Sequence, residues 1–415
     1  MNAILLLLGL LTLSYVGSAL RGERAIRGIG LASGAEYLCL GIALGPRLLG
    51  IVSETLLEGF EPLLVVGASW VTFIAGLGYG RVGERPIAPL RAALGVLGAT
   101  LVGSAVFAAV YAALPLVAPA LVPDRLLVAG GAACVSAGTT RQAVRWVVER
   151  YSARGPLADT LADHARASAL VPIAGVALLI ALRPAPGLEP MAFAWRVGLT
   201  FGIGALLGLI ALALLSRGLT RDESWGVLVG TSLLSMGVAT RLGLSPLAAA
   251  FALGLTLGTL SKRRAELSAM VRPTERAVLL PLAVLAGALL DPRAAPAAAF
   301  VVPLALGARF AAELVRTGLL VTTSRAARPA GLSVAYGLVS TGEVTLACGV
   351  SIALAFDTPP ARTVLLVAAA ALLVGEVVAP LALRRALGRA GELESPDGPS
   401  WSMPPELPAR GSDAA

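Results

Sequence analysis

The chain has 415 residues, 57% of them hydrophobic and only 14% charged, with a mean hydropathy of +0.83. This excludes a water-soluble domain, and apolar runs long enough to cross a bilayer recur along the whole length. The net charge of +8 would point to nucleic acid in a soluble protein, but here Lys and Arg punctuate the ends of apolar segments and read as topology signals, so no nucleic-acid partner is expected.

In chain order the apolar pattern predicts thirteen spans, centred on residues 3–20, 29–52, 61–79, 90–117, 125–150, 160–182, 191–216, 223–240, 244–261, 275–291, 296–323, 330–356 and 362–383. The first lacks a charged leader and a small-residue cleavage site, which makes it a retained span rather than a signal peptide. Short connections make sequential helices neighbours in a compact bundle. The fold class is therefore an all-α polytopic membrane protein with a transmembrane unit over 1–385. Residues 386–415, rich in Pro, Ser, Gly and Glu, read as a disordered tail.

Sorting the 33 Lys and Arg by alternate loops tests this count. One set of loops holds 24 and the other seven, with Arg166 and Arg309 inside spans. Cytoplasmic loops hold the excess, which places the N-terminus outside and the C-terminus in the cytoplasm of a bacterial inner-membrane protein. Cys39, Cys134 and Cys348 lie in apolar segments with no metal-ligand spacing, and no cofactor is expected. The lone His164 has no Ser or Cys nucleophile beside it and there is no phosphate-binding loop, which argues against an enzyme.

An odd span count with similar punctuation in both halves suggests inverted repeats over about 1–182 and 223–385. Span 5 is interrupted by Ser136-Ala137-Gly138-Thr139-Thr140, and span 12, its counterpart, by Gly337 to Glu343. Gly and Thr clusters deep in a span free backbone groups, which is tolerated where they line a cavity; two in corresponding positions predict a pair of broken helices around a midplane site.

An ionisable group inside a span costs about 2.5–3.5 kcal/mol on insertion scales, so each needs a partner or a purpose. The candidates are Glu36, Asp163, Arg166, Arg309, Glu313, Glu343 and Glu376. Arg309 and Glu313 are four apart and share a helix face, which predicts an internal pair, with Glu343 as the other partner open to Arg309. Glu343 lies in the second break, where its carboxylate suits capping of freed amides and gating. Asp163 and Arg166 can pair locally or snorkel to the headgroups. His164 reads as a polar surface residue rather than a ligand, with proton handling as the alternative.

Tyr37 to Pro46, YLCLGIALGP, is similar to the early G-Y-x-x-x-G-x-x-x-G-P helix of the monovalent cation:proton antiporter superfamily, particularly its Kef-type and bacterial sodium/proton exchanger branch. Thr139-Thr140 followed by Glu149-Arg150 resembles that family's first crossing peptide, and Ala249 to Gly258 followed by Pro281 resembles its A-F-x-A-G-x-x-L segment. Arg309 falls where the family has a Lys or Arg before the second crossing, and Gly342-Glu343 matches its G-E pair. The resemblance covers the chain to about residue 385. It implies a homodimer with a dimerisation domain and a core domain moving by elevator-like alternating access.

The family's carrier is an Asp in span 6, in Q-D or D-D five residues before a Pro. Counting back from Pro172 puts Arg166-Ala167 there, so that carboxylate is missing. Asp163 lies one turn earlier on the face of Ala167, about 6 Å toward the cytoplasm by helix rise, and is the expected replacement. The ion- and proton-binding candidates are thus Asp163, Thr139, Thr140, Ser136 and Glu343, with Arg309, Glu313 and Arg166 as structural charges. The leading function is exchange of Na⁺ or K⁺ for protons across the bilayer. A degenerate, non-transporting scaffold or regulatory homologue and an anion pathway past Arg166 and Arg309 stand beside it.

Overall fold

The computed structural model describes residues 34–79, 81–82, 85–86, 88–182, 192–290 and 298–393, the two short stretches by their backbone. Twelve of the thirteen expected spans are helical; the span at 3–20 lies outside the described residues. In order they are α1 (Ala35–Leu44), α2 (Glu54–Leu77), α3 (Pro89–Val117), α4 (Arg125–Ala137), α5 (Arg141–Arg150), α6 (Pro156–Ser168), α7 (Leu170–Leu182) and α8 (Phe193–Leu215). They continue with α9 (Arg221–Arg241), α10 (Pro246–Leu260), α11 (Arg264–Leu289), α12 (Ala298–Thr323), α13 (Ser333–Leu338), α14 (Glu343–Phe356) and α15 (Pro359–Arg389). Among the described residues the only strands form a two-residue antiparallel ladder, Arg81–Val82 with Arg85–Pro86. Six helical stretches among those residues are long and apolar enough to cross a membrane.

Three expected spans are each two helices end to end. Spans 5 and 12 break at Gly138–Thr140 and at 339–342, where the sequence predicted them to. Span 6 also breaks, between Ser168 and Leu170. Pro172 explains this: it has no N–H for the carbonyl four residues back, and its ring crowds that carbonyl, so the helix kinks one turn before it. Elsewhere local chemistry sets the ends. Ser53 caps α2 by accepting from Leu56 N–H, and Thr220 with Glu223 forms a capping box on α9.

The bundle interior is built by backbone contact as much as by side chains. Gly76 on α2 and Gly254 on α10 face each other so closely that a Cβ on either would meet the other helix's backbone, at Phe251 and Phe73 respectively. Small residues allow this approach where lipid provides no hydrophobic drive between helices.

The expected tail boundary is moved by the structure. Ala386 and Leu387 are fully buried, and the chain folds back as far as Leu393. The Glu392 carboxylate accepts from the backbone N–H of Leu157 (2.7 Å) and of Ala158 (2.8 Å), capping the N-terminus of α6 from 235 residues away. Its own carbonyl accepts from Arg154 N–H at 3.0 Å. Gly155, at φ +156°, leaves the space this carboxylate fills. A carboxylate on two first-turn amides satisfies orphan donors and complements the helix dipole, which no composition-based reading of a tail detects. Glu392→Ala is expected to cost roughly 1–2 kcal/mol, the usual worth of an N-cap, read as a lower thermal midpoint in detergent; Glu392→Gln retains part of the loss because its amide oxygen accepts only one of the two bonds.

Candidate functional site

The two breaks cross. Thr140 N–H donates to Ser340 O at 3.1 Å, so the extended segment after α4 is bonded to the one after α13. Each helix that ends here leaves carbonyls without intrahelical donors and carries the negative end of its dipole. Arg309 of α12, only 1% exposed, answers both. Its guanidinium donates to Ser136 O and Gly138 O from the first break, and to Leu338 O and Ser340 O from the second. A planar fork with five donors suits this; a single carboxylate would leave those four acceptors bare. The expected pairing of Arg309 with Glu313 or Glu343 is therefore replaced by carbonyl binding. Glu313 instead takes Arg316, three residues on, with 3.2 and 3.4 Å from Nη1 to its two oxygens, and the same Nη1 donates to Thr139 Oγ1 at 3.3 Å.

Glu343 opens α14 and is 1% exposed. Its Oε2 accepts from Thr140 Oγ1 at 3.1 Å, and its Oε1 accepts from Arg141 Nε at 3.3 Å and Nη2 at 3.1 Å. Thr140 also caps α5, accepting from Gln142 N–H. Beside this carboxylate lies a void of about 10 Å³ bounded by Gly138, Thr139, Thr140, Ala165, Ala169 and Glu343, among others. That is the scale of one water-sized particle. Thr139 Oγ1 donates to Leu338 O at 3.3 Å, and Thr139 N–H donates to Ser168 Oγ at 3.2 Å. Ser136 contributes its carbonyl rather than its hydroxyl, which has no hydrogen-bond partner among the described residues.

The face that α6 turns to the crossing carries Ala165 and Ser168, and Ala169, the residue that follows α6, continues it. Ala167, where counting from Pro172 placed the missing carrier, is about 200° around the helix from Ala165 and packs against Gly95 of α3. Asp163 shares that outer face. It accepts from Arg91 at 3.4 Å and lies 3.9 Å from Arg166, so the expected local pair forms with a closer partner added. Asp163 and Arg166 line a cavity of about 590 Å³ with Arg141, Arg272 and Glu275, at the end of α2 marked by Ile74 and Gly78. A second cavity, about 310 Å³, sits at the opposite end of α2 with Glu54, Glu58, Glu61, Asp357, Arg47 and Arg362. His164, expected at the surface, is 1% exposed, and neither ring nitrogen has a hydrogen-bond partner among the described residues.

Three residues of this centre are not among the sequence candidates: Arg141, Glu275 and Arg316. Arg141 follows the first break directly, and Arg316 stands one turn beyond Glu313 on the same face; those spacings were the available signal. Glu275 had none, because its partner Arg141 is 134 residues away. Among the described residues no group of three or more His, Cys, Asp or Glu is placed to hold a metal ion.

Two broken helices crossing around buried charges in a multi-pass membrane protein define the class of secondary transporters. The sequence matches the family described as sodium/hydrogen exchanger, transmembrane, over residues 12–387, and the chain belongs to that family. No curated protein is matched by the sequence. Among solved structures the fold is similar to that of the sodium proton antiporter MjNhaP1 from Methanocaldococcus jannaschii at pH 8, with a TM-score of 0.70 and 18% identity over 94% of this chain and 99% of that one. An electron-microscopy map of the same antiporter gives a TM-score of 0.63 at 18% identity, covering 94% and 97%. The fold class expected from the sequence, all-helical and built around two broken, crossing helices, is the one observed.

Proposed function

We propose that the chain exchanges sodium for protons across a cell membrane by alternating access, and that Glu343 is the carboxylate that takes up either one. The observation that carries this reading is that, among the described residues, Glu343 is the only acidic one bordering the void at the crossing. A carboxylate holds a proton or a dehydrated cation but not both, and Thr140 Oγ1 beside it supplies a further oxygen for either. The cavities at opposite ends of α2 serve as vestibules, and Asp163 belongs to the one on the basic, cytoplasmic side, gathering ions rather than carrying them. The repeats over about 1–182 and 223–385 and a homodimer complete the proposal.

Arg309 is held by four carbonyls and Arg166 faces Asp163, which favours a cation over an anion pathway. A second reading rests on Ala165 and Ala169: with no acid from α6 at the crossing, the chain is a non-transporting homologue. A pH-gradient assay in proteoliposomes with Na⁺, K⁺ and Li⁺ separates them. Sodium-dependent collapse of the gradient is expected, and its absence with all three ions favours the second reading. The orientation has its own test: a reporter active only outside the cytoplasm, fused after Ala415, is expected to be silent, and an active one inverts the topology.

A further inference from the structure

Among the described residues Arg141 is the one charged residue that borders both the void at the crossing and the vestibule. It is the first residue of α5, so the break itself places it. Its guanidinium bridges two carboxylates, donating to Glu343 Oε1 at 3.1 and 3.3 Å and to Glu275 Oε1 at 3.3 Å. The three side chains form a gradient of exposure, 1% for Glu343, 14% for Glu275 and 19% for Arg141. Gly78 makes room for this: a Cβ there would stand 3.2 Å from Arg141 Nη1. The vestibule wall beyond holds Glu149 and Asp159.

We infer that Arg141 is a tethered cation that occupies the transported ion's place on Glu343 and withdraws along Glu275 into the vestibule when an ion or proton takes that place. This rests on Glu343 being the exchange carboxylate. A buried carboxylate needs a counter-charge, and arginine, which stays protonated, supplies one that cannot diffuse away. An arriving cation must approach the same oxygen from the same side, so the two compete. Glu275 keeps the guanidinium paired once it leaves, which lowers the cost of the exchange. No net charge is created: Glu343 passes from the guanidinium to the ion, and the guanidinium passes to Glu275.

The test uses the full chain in proteoliposomes. Arg141→Gln is expected to lower the KM for Na⁺ by about tenfold, equivalent to losing a competitor worth roughly 1.4 kcal/mol, while Arg141→Lys stays near wild type. Glu275→Gln is expected to shift KM the other way, because Arg141 then has only Glu343 to hold. Guanidinium chloride at millimolar, non-denaturing concentration should inhibit Arg141→Gln competitively with Na⁺ and at lower concentration than it inhibits wild type. A lowered kcat with KM and guanidinium sensitivity unchanged would make Arg141 a merely structural partner and overturn the inference. If Arg141→Gln does not fold, the opposite KM shift in Glu275→Gln decides alone. If wild type is silent, gain of sodium flux in Arg141→Gln supports the plug and continued silence removes it. Exchange that survives in Glu343→Gln refutes the underlying reading separately, whatever Arg141 does.

Discussion

Arg309→Ala is expected to be the most destabilising single substitution at the crossing. It deletes one of the largest fully buried side chains and leaves the carbonyls of Ser136 and Gly138 without the donor that serves them. Leu338 O retains Thr139 Oγ1 and Ser340 O retains Thr140 N–H, so the loss falls mainly on the first break. Two orphaned buried acceptors cost together about 2–6 kcal/mol, which corresponds to a fall in the thermal midpoint on the order of 10 °C. Arg309→Lys keeps the charge but offers donors from a single point, so it cannot reach both breaks and should recover less than half. Thermal unfolding of the detergent-purified variants measures this. An Arg309→Ala variant that melts with wild type would mean that the carbonyls find water instead, and the guanidinium would not be what holds the breaks together.

The largest functional effect is expected at Glu343. Glu343→Gln keeps the size and the contact with Thr140 Oγ1 but removes the titratable group, so sodium-dependent proton flux should fall at least about 100-fold, the order of effect of losing a group that acts directly on the transferred proton. Asp163→Asn, which changes a vestibule residue paired with Arg91 and Arg166, should reduce apparent sodium affinity a few-fold and leave the maximal rate largely intact. The reversed outcome, loss of exchange in Asp163→Asn and retention in Glu343→Gln, would return the carrier role to Asp163 and place the exchange step in the vestibule. A further variant probes the alanine face of α6: a carboxylate introduced as Ala169→Asp borders the void, whereas Ala167→Asp faces Gly95. Only the former is expected to alter sodium affinity.

The length and apolarity of the runs, the alternating distribution of Arg, and the Gly and Thr clusters at 136–140 and 337–343 are local properties. They identify spans and breaks because a bilayer forces every backbone group to be satisfied within its own segment or beside a cavity. The lone Pro172 likewise contained the kink in span 6.

The sequence by itself determined the order of the described spans, two of the three broken ones and the presence of charges at membrane depth, since hydrophobic length and backbone satisfaction act within a few turns. Tertiary structure alone decided how those charges are shared. Arg309 was drawn to four carbonyls because two helix ends from opposite halves of the chain meet there. Glu313 was left to Arg316, and Glu343 to an arginine 202 residues away that also holds Glu275. The choice between Ala167 and Ala165 with Ala169 was made by the rotation of α6 against the crossing, and Glu392 joined the fold because the N-terminus of α6 lay within its reach. Apart from the i,i+3 pair of Glu313 with Arg316, these partners are selected by proximity in space across long loops, and no local spacing encodes that.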